Sequence, residues 1–282
     1  MSISGSPVLF FLPALDEAGA VAEVLSRIPT QVAGHGVVRL VVDDGSTDAT
    51  ATLARSSGAE VVSFADTQGL GAAVRHGLAH GADMRAAAVV FCDADLEYDP
   101  SEVDRLVAPI LAGEADYVVG SRFAGGERRM SAHRAFGNRI LTLVVRRLTR
   151  LPVTDGQSGF RALSMEAAGA AEVIHDYNYA QVLTLDLAAK GYRYLEVPIS
   201  YRFRTTGRSF VRVGPYLRAV VPAIWRQHHR AGARVREGHR VRLRSRRTFT
   251  MARNAVPLTD PSAGQSSTTK ERKSARAASQ AA

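Results

Sequence analysis

The stretch FCDADLEYDP, residues 91–100, follows a run of apolar residues and places four carboxylates within seven positions. An apolar run that ends abruptly in acidic residues is typical of a buried strand that reaches the edge of a sheet. Like charges this close repel each other, so either water screens them or a cation binds them. Asp93 and Asp95 can direct their carboxylates to one place, and Mg²⁺ or Mn²⁺ binds through a few carboxylates together with phosphate oxygens. The stretch therefore predicts a cation site, with Glu97 as a possible third ligand, or else a solvated loop.

Short apolar strands alternate with helical segments along the first half of the chain. The predicted strands are Val8–Leu12, Val37–Val42, Glu60–Phe64, Ala88–Cys92 and Tyr117–Gly120. The predicted helices between them are Ala18–Ile28, Ala49–Ser57, Ala72–Gly81 and Ser101–Ala112. This alternation predicts an α/β fold with a mostly parallel sheet flanked by helices, in which ligands bind outside the carboxyl ends of the strands.

Three local motifs lie at the ends of these strands. Asp99 is predicted to cap the helix 101–112, with Glu102 as its capping-box partner. DDGS, residues 43–46, is either an ordinary turn and helix cap or a site that accepts hydrogen bonds from a ribose or a base. GLGAA, residues 69–73, lacks the third glycine of a dinucleotide fingerprint and predicts a tight turn into a helix.

The net charge of +9 is unevenly distributed. Residues 228–282 contain 13 Lys/Arg and three Asp/Glu, so they carry +10 and leave −1 for the rest of the chain. This tail has little to bury and is predicted to be disordered. The single cysteine, Cys92, excludes an internal disulfide framework. The first residues predict a strand rather than a signal peptide, and no apolar run reaches the ~18 residues of a membrane-spanning helix.

Eight motifs in order resemble the family 2 glycosyltransferases of GT-A fold, and especially the polyprenyl-phosphate mannosyl- and glucosyltransferases. They are LPALDEA (12–18), VVDDGSTDAT (41–50), GLGAAVRHG (69–77), CDADLEYDP (92–100), VVGSRF (118–123), GNRILT (137–142), DGQSGFRAL (155–163) and EVPISYRFRTTGRS (196–209). The resemblance implies a GT-A-like domain over residues 1–212. An amphipathic segment that could lie in a membrane interface follows at 213–230, and the basic tail occupies 231–282.

The resemblance also implies roles for individual residues. Those expected at the donor nucleotide are Pro13, Ala14, Asp16, Glu17, Asp43 and Asp44. Those expected at the cation are Asp93, Asp95 and Glu97. Arg122 is expected near the sugar, and the residues expected at the site or its phosphate groups are Gln157, Ser158, Arg161, Arg204 and Ser209. The alternative for Arg122 and Arg161 is a structural ion pair, and the alternative for Gln157 and Ser158 is a simple turn.

These expectations lead to a hypothesis about the reaction. A metal-dependent, inverting transfer would move a hexose from a GDP- or UDP-sugar to a polyprenyl phosphate, with Mg²⁺ or Mn²⁺ neutralising charge on the leaving diphosphate. A phosphate acceptor needs no general base, whereas a hydroxyl acceptor does, and Asp155 is the nearest candidate. A lipid acceptor implies a protein that is peripheral on the cytoplasmic face of the membrane, through the apolar segment 213–225 and the arginines that follow it.

Three other classes of function are supported less well by the sequence. Nucleic-acid binding is not expected, because the basic tail has one aromatic residue past its histidines, Phe249, and the folded part is slightly acidic. A sugar nucleotidyltransferase would need a lysine-rich phosphate loop, and LPALDEAGA (12–20) has no lysine. A family 2 enzyme that acts on a hydroxyl of a glycan in the cell wall or surface stays open as the alternative.

Overall fold

The computed structural model describes residues 5–123, 132–176 and 179–202, together with residues 222, 225 and 226. The chain divides into two compact units, Met1–Gly238 and His239–Ala282, and every described residue belongs to the first. The predicted interfacial segment 213–230 and the tail 231–282 therefore lie almost wholly outside the described residues and stay predictions.

Eight strands and seven α-helices lie within these described ranges. The strands are β1 Val8–Ala14, β2 Gln31–Val32, β3 His35–Asp43, β4 Glu60–Ser63, β5 Ala88–Phe91, β6 Tyr117–Ser121, β7 Arg161–Leu163 and β8 Tyr194–Pro198. The helices are α1 Val21–Arg27, α2 Thr50–Ser56, α3 Leu70–Asp83, α4 Val103–Leu111, α5 Ala132–Thr149, α6 Met165–Ala170 and α7 Ala180–Ala189. Every strand and helix predicted in the first half is present, with ends shifted by a few residues.

The strands form one mixed sheet in the order β4–β3–β1–β5–β7–β6–β8. β2 forms a short antiparallel hairpin with the start of β3. β7 is antiparallel to both of its neighbours, whereas the other pairs along this order are parallel. The expectation of a mostly parallel sheet flanked by helices is therefore confirmed.

Side chains on alternate positions of each strand enter two separate cores. On β1, Val8, Phe10 and Leu12 pack with α1 and α4 on one face, while Leu9 and Phe11 pack with α3, α6 and α7 on the other. This is the period-two pattern expected of a strand that is covered on both faces. Because the strands are packed on both faces, their ends have fixed positions, and so do the points where the loops at the carboxyl edge begin.

The start of α4 departs from the sequence prediction in one detail. The Asp99 carboxylate accepts a hydrogen bond from the backbone N–H of Ser101 at 3.1 Å, so Asp99 is a cap as predicted, but of the 3₁₀ turn Pro100–Glu102 that leads into α4. Glu102 is not the capping-box partner, because its carboxylate instead accepts the N–H of Ser200 at 2.7 Å. This contact ties the segment after β8 to α4, and sequence spacing alone could not reveal it because the two residues are 98 positions apart.

None of the helices in the described residues is both long enough and apolar enough to span a bilayer.

Candidate active site

Three neighbouring strands bring the two acidic clusters to one edge of the sheet. β1 pairs in parallel with β3 on one side and with β5 on the other. Ala14 and Asp43, the last residues of β1 and β3, are directly paired, and β5 ends at Phe91 just before Asp93. The carboxyl ends of parallel strands meet at one edge, so DDGS and DADLE line the same cleft, as the sequence predicted.

Asp93 is held in an environment that disfavours its charge. The residue keeps some contact with solvent but lies deep among protein atoms. Burial, followed by the negative charges of Asp95 and Glu97, raises the pKa of Asp93 to about 8, and Arg122 opposes the shift. A divalent cation at this position would remove the conflict, because its charge favours ionised carboxylates.

Asp95 and Glu97 are organised by bonds within the loop and to the segment after β8. Asp95 Oδ1 accepts the backbone N–H of Glu97 at 3.1 Å, and Glu97 Oε2 accepts the hydroxyl of Tyr201 at 2.9 Å. Within the described ranges, no three His, Cys, Asp or Glu side chains are grouped so that they could hold a metal ion by themselves. The donor set therefore fits Mg²⁺ or Mn²⁺ only if ligand oxygens complete the coordination shell.

The loop after β1 is joined to the loop after β3. Asp16, which has a left-handed backbone (φ 52°), accepts the N–H of Thr47 at 2.8 Å through Oδ1 and donates its own N–H to Ser46 Oγ at 2.9 Å. Glu17 is half-buried and is close enough to raise the pKa of Asp93. Both residues therefore lie at the predicted edge of the cleft.

Pro13 and Ala14 are buried residues of β1. Ala14 contributes its carbonyl oxygen, which accepts the N–H of Asp44 at 2.8 Å. Any contact of these two residues with a nucleotide is therefore made by the backbone at the end of the strand.

Asp43 and Asp44 are both buried and both have partners within the protein. Asp43 Oδ1 accepts the N–H of Ser46 at 3.1 Å, which is ordinary turn chemistry. The two oxygens of Asp44 accept the N–H groups of Gln68 and Gly69 at 2.7 and 2.8 Å. Asp44 thus fixes the glycine turn that opens α3. Gly69 has a φ of 100°, and a Cβ there would lie 2.7 Å from the carbonyl oxygen of Asp176, so the prediction of a tight turn is correct.

Arg122 and Asp155 form a buried ion pair beside the cleft. Asp155 Oδ2 accepts Nε and the backbone N–H of Arg122 at 2.7 and 3.1 Å, and Oδ1 accepts Nη2 at 2.8 Å and the N–H of Gln157 at 3.2 Å. These four bonds use all the acceptor positions of the carboxylate. The guanidinium also lies 5.1 Å from the ring centroid of Tyr201. The structure therefore places Asp155 as the partner that positions Arg122.

Ser158 and Arg161 lie in the interior and not in the cleft, whereas Gln157 is half-buried at the cleft's edge. The Ser158 hydroxyl accepts the N–H of Phe160 within its own turn. Arg161 is fully buried, and its Nε donates to the carbonyl oxygen of Ser158 at 2.8 Å while Nη1 donates to that of Ala180 at 2.9 Å. A bound phosphate cannot reach either side chain in this conformation, because protein atoms cover both.

The remaining predicted residues, Arg204 and Ser209, lie outside the described residues.

Three residues that sequence analysis did not select help to build the site, namely Tyr98, Gly159 and Tyr201. Tyr98 is buried and its hydroxyl accepts the N–H of Gly159 at 2.7 Å, while Tyr201 bonds Glu97 and stacks on Arg122. Tyr98 and Gly159 stand inside quoted motifs, but only their contact across 61 residues reveals what they do.

Comparison with known proteins agrees with this architecture. The family model described as "Glycosyl transferase family 2" matches residues 10–170, which is more than half of the chain. This chain belongs to glycosyl transferase family 2. The family 2 chain is 34% identical over 223 residues to an uncharacterized glycosyltransferase of Mycobacterium tuberculosis, covering 79% of this chain and 96% of that protein. It is 30% identical over 225 residues to an undecaprenyl-phosphate mannosyltransferase of Micrococcus luteus, covering 76% of this chain and 91% of that protein.

A solved structure is also similar to the family 2 chain. Glucosyl-3-phosphoglycerate synthase from Mycobacterium tuberculosis, in complex with Mn²⁺, UDP and glucosyl-3-phosphoglycerate, matches with a TM-score of 0.66 and 26% identity. The match covers 80% of this chain and 81% of that one. The same synthase is also known with Mg²⁺ and UDP, and with Mn²⁺ and UDP-glucose. The family 2 chain is thus a glycosyltransferase of GT-A-like fold that uses a nucleotide-sugar donor.

Proposed function

We propose that this family 2 glycosyltransferase moves a hexose from a GDP- or UDP-sugar to a polyprenyl phosphate, with inversion at the anomeric carbon. The donor diphosphate lies at the carboxyl edge between β1, β3 and β5. Asp93 and Asp95 hold Mg²⁺ or Mn²⁺ there together with phosphate oxygens of the donor. Glu97 stays a proposed third ligand, although the three carboxylates are not grouped as a metal site in this structure. The bound cation neutralises the charge that develops on the departing nucleoside diphosphate.

The cation assignment is supported by the chemistry of the donor set. The three carboxylates are hard oxygen ligands, and burial, followed by the negative charges of Asp95 and Glu97, raises the pKa of Asp93 to about 8. A cation that binds there would replace the proton on the Asp93 carboxyl group, and its positive charge would reduce the repulsion among the carboxylates. The nucleotide pocket on the other side is formed by the loops that Asp16 and Asp44 tie together, and by Glu17 and Asp43 beside them.

The observation that carries the acceptor assignment is the full engagement of Asp155. A general base must accept a proton from an acceptor hydroxyl, and all four acceptor positions of this carboxylate already hold N–H groups of Arg122 and Gln157. A phosphate monoester has a second pKa of about 6 and is already anionic at neutral pH, so it attacks without such a base. Arg122, oriented by Asp155, supplies positive charge near the place where two anionic substrates meet.

The similarity to the undecaprenyl-phosphate mannosyltransferase favours the same acceptor class. The similarity to glucosyl-3-phosphoglycerate synthase favours a second candidate, transfer to the hydroxyl of a small or glycan acceptor. In that case a residue other than Asp155 has to serve as base. Arg204 and Ser209 stay proposed contacts of the phosphate groups. A polyprenyl acceptor places the enzyme on the cytoplasmic face of a membrane as a peripheral protein.

A donor screen with the full chain tests the proposal. GDP-mannose, UDP-glucose and UDP-N-acetylglucosamine, each labelled in the sugar, are incubated with Mn²⁺ and a short polyprenyl phosphate, and the organic phase is counted. We expect label from one donor to enter the organic phase, and no label when the matching polyprenol without phosphate is used. Transfer to polyprenol or to phosphoglyceric acid, with none to polyprenyl phosphate, would overturn the acceptor assignment.

A further inference from the structure

Helix α5 has two apolar faces, and only one of them packs against the rest of the protein. Leu141, Thr142 and Val145 are buried. On the opposite side, the side chains of Ile140, Leu143 and Val144 are 49%, 52% and 38% exposed. These residues are spaced three and four positions apart, so they form one stripe along the helix. The fold of the described residues does not account for this stripe, which we call the outer stripe.

The outer stripe is flanked by arginines and has no acidic neighbours in sequence. Arg139, Arg146, Arg147 and Arg150 are all exposed, and the chain has no Asp or Glu from residue 128 to residue 154. In the part of the chain that the structure describes, none of these four arginines forms an ion pair. Four other arginines of the described residues do form surface ion pairs, namely Arg27, Arg75, Arg105 and Arg193, which pair with Glu23, Asp176, Glu102 and Asp116, whereas the exposed Arg55 and Arg85 do not.

We infer that the outer stripe of α5 docks on the surface of an anionic lipid bilayer. A helix that carries an apolar stripe beside arginines is suited to the boundary between acyl chains and headgroups, where the apolar side chains insert and the guanidinium groups pair with lipid phosphates. A protein partner would need acidic groups that match four arginines, whereas an anionic leaflet presents them everywhere. The inference does not depend on the segment 213–225, which lies almost wholly outside the described residues.

The inner face of the same helix contacts the active site. Thr142 Oγ1 accepts the N–H of Gly156 at 3.1 Å, and Gly156 directly follows Asp155, the partner of Arg122. One helix diameter, about 10 Å, therefore separates the outer stripe from the loop that orients Arg122. Docking of α5 would bring a lipid-phosphate headgroup to the cleft without lifting it far from the bilayer. In this respect the inference rests on the proposed function and deepens it.

A fluorescent label on α5 tests the inference in the full chain. Leu143→Cys introduces one accessible thiol, because the native Cys92 is completely buried. It is labelled with an environment-sensitive dye and mixed with vesicles of phosphatidylcholine and phosphatidylglycerol. The matched control is Thr52→Cys on the exposed face of α2, which packs on β3 and β4 at the other end of the sheet. We expect a blue shift of the dye at position 143 only, and only when vesicles are present.

A second pair of variants removes the effect of the basic tail, which attracts anionic vesicles by itself. Leu143→Ser should lower the partition coefficient for these vesicles about tenfold, because the exposed half of the Leu143 side chain leaves water when the stripe inserts and that of serine gains nothing. Leu195→Ser, which alters another exposed leucine, should leave the coefficient unchanged. Both variants keep the tail, so its contribution cancels in the comparison.

Three outcomes would overturn the inference. One is a dye at position 143 that is already blue-shifted in buffer, which means that another segment or a second copy covers the stripe. The second is a dye that does not respond to vesicles, and the third is equal vesicle binding by Leu143→Ser and the unaltered protein. A shift on vesicles supports the inference even if no donor transfers its sugar to polyprenyl phosphate, in which case only the proposed acceptor fails.

Discussion

Gly159 lies so close to Asp93 that a Cβ at position 159 would be 2.4 Å from Asp93 Oδ2. The same glycine donates its backbone N–H to the hydroxyl of Tyr98 at 2.7 Å. The DADLE loop and the turn before β7 are therefore packed against each other with no space for a side chain. The position of the first acidic residue is set by a backbone 66 positions further along the chain.

Gly159→Ala should displace the Asp93 carboxylate and reduce sugar transfer by about 100-fold, because misplacement of a catalytic group by about 1 Å can cost this much. Gly156→Ala is the matched control in the same loop. Its Cβ would lie 3.4 Å from Thr142 Oγ1, so we expect activity within a few-fold of the unaltered enzyme. The measurement is the initial rate with the donor that the screen identifies. Equal rates for the two variants would contradict the packing argument.

Asp95→Asn should abolish nearly all turnover and weaken Mn²⁺-dependent UDP binding, because it removes a charged ligand of the cation. Asp99→Asn is the control, since Asp99 belongs to the same acidic stretch but accepts its hydrogen bond from Ser101 in the 3₁₀ turn Pro100–Glu102 that precedes α4. Calorimetry with Mn²⁺ and UDP separates the two variants. If Asp95→Asn binds UDP and Mn²⁺ as tightly as Asp99→Asn does, the cation assignment is wrong.

The pKa of Asp93, about 8 against an ordinary value of 3.8, predicts how stability depends on pH when no divalent cation is present. Between these two values the folded protein retains a proton that the unfolded chain releases, so stability falls as pH rises from about 4 to about 8. Asp93→Asn removes this penalty and should raise the melting temperature at pH 8–9 by about 2–5 °C, with little effect near pH 4. Thermal melts in EDTA across this range test the prediction. A variant that melts below the unaltered protein at pH 9 would contradict it.

The cation and the proton compete for the same carboxylate. The affinity for Mn²⁺ in the presence of UDP should therefore rise with pH up to about 8 and then level off. In Asp93→Asn the dependence should be weaker and confined to the lower part of this range, where the UDP phosphate titrates at about pH 6. The measurement is the midpoint of a Mn²⁺ titration at fixed UDP. A midpoint in the unaltered enzyme that does not change between pH 6 and pH 8 would count against Asp93 as a ligand.

Asp155→Asn should lower the free energy of unfolding by about 3–5 kcal/mol, because it leaves the Arg122 guanidinium buried without its counter-charge. The double variant Arg122→Met/Asp155→Leu should recover part of this loss, since it removes both charges, but it should not recover activity. Urea denaturation of the single and double variants measures the coupling. If Asp155→Asn is as stable as the unaltered protein and only its pH–rate profile changes, Asp155 is a general base and not a positioning residue.

The sequence by itself determined the order of strands and helices in the first half of the chain, the edge at which the acidic clusters meet, and the family. Strand and helix patterns act over a few residues, so Val8–Ala14 and Ala88–Phe91 were recognisable from their apolar runs. The rule that ligands bind at the carboxyl ends of parallel strands then located the cleft without knowledge of any contact.

Only the tertiary structure decided which candidates face that cleft. Arg161 and Ser158 belong to a motif that resembles the family, yet both are covered by protein, and Arg122 and Gln157 occupy all the acceptor positions of Asp155. Burial and hydrogen-bond partners depend on residues far away in the sequence, such as Tyr201 and Glu97, which are 104 positions apart, or Gly159 and Tyr98, which are 61 apart. A local pattern carries no information about such contacts, because they exist only after the sheet has brought distant segments together.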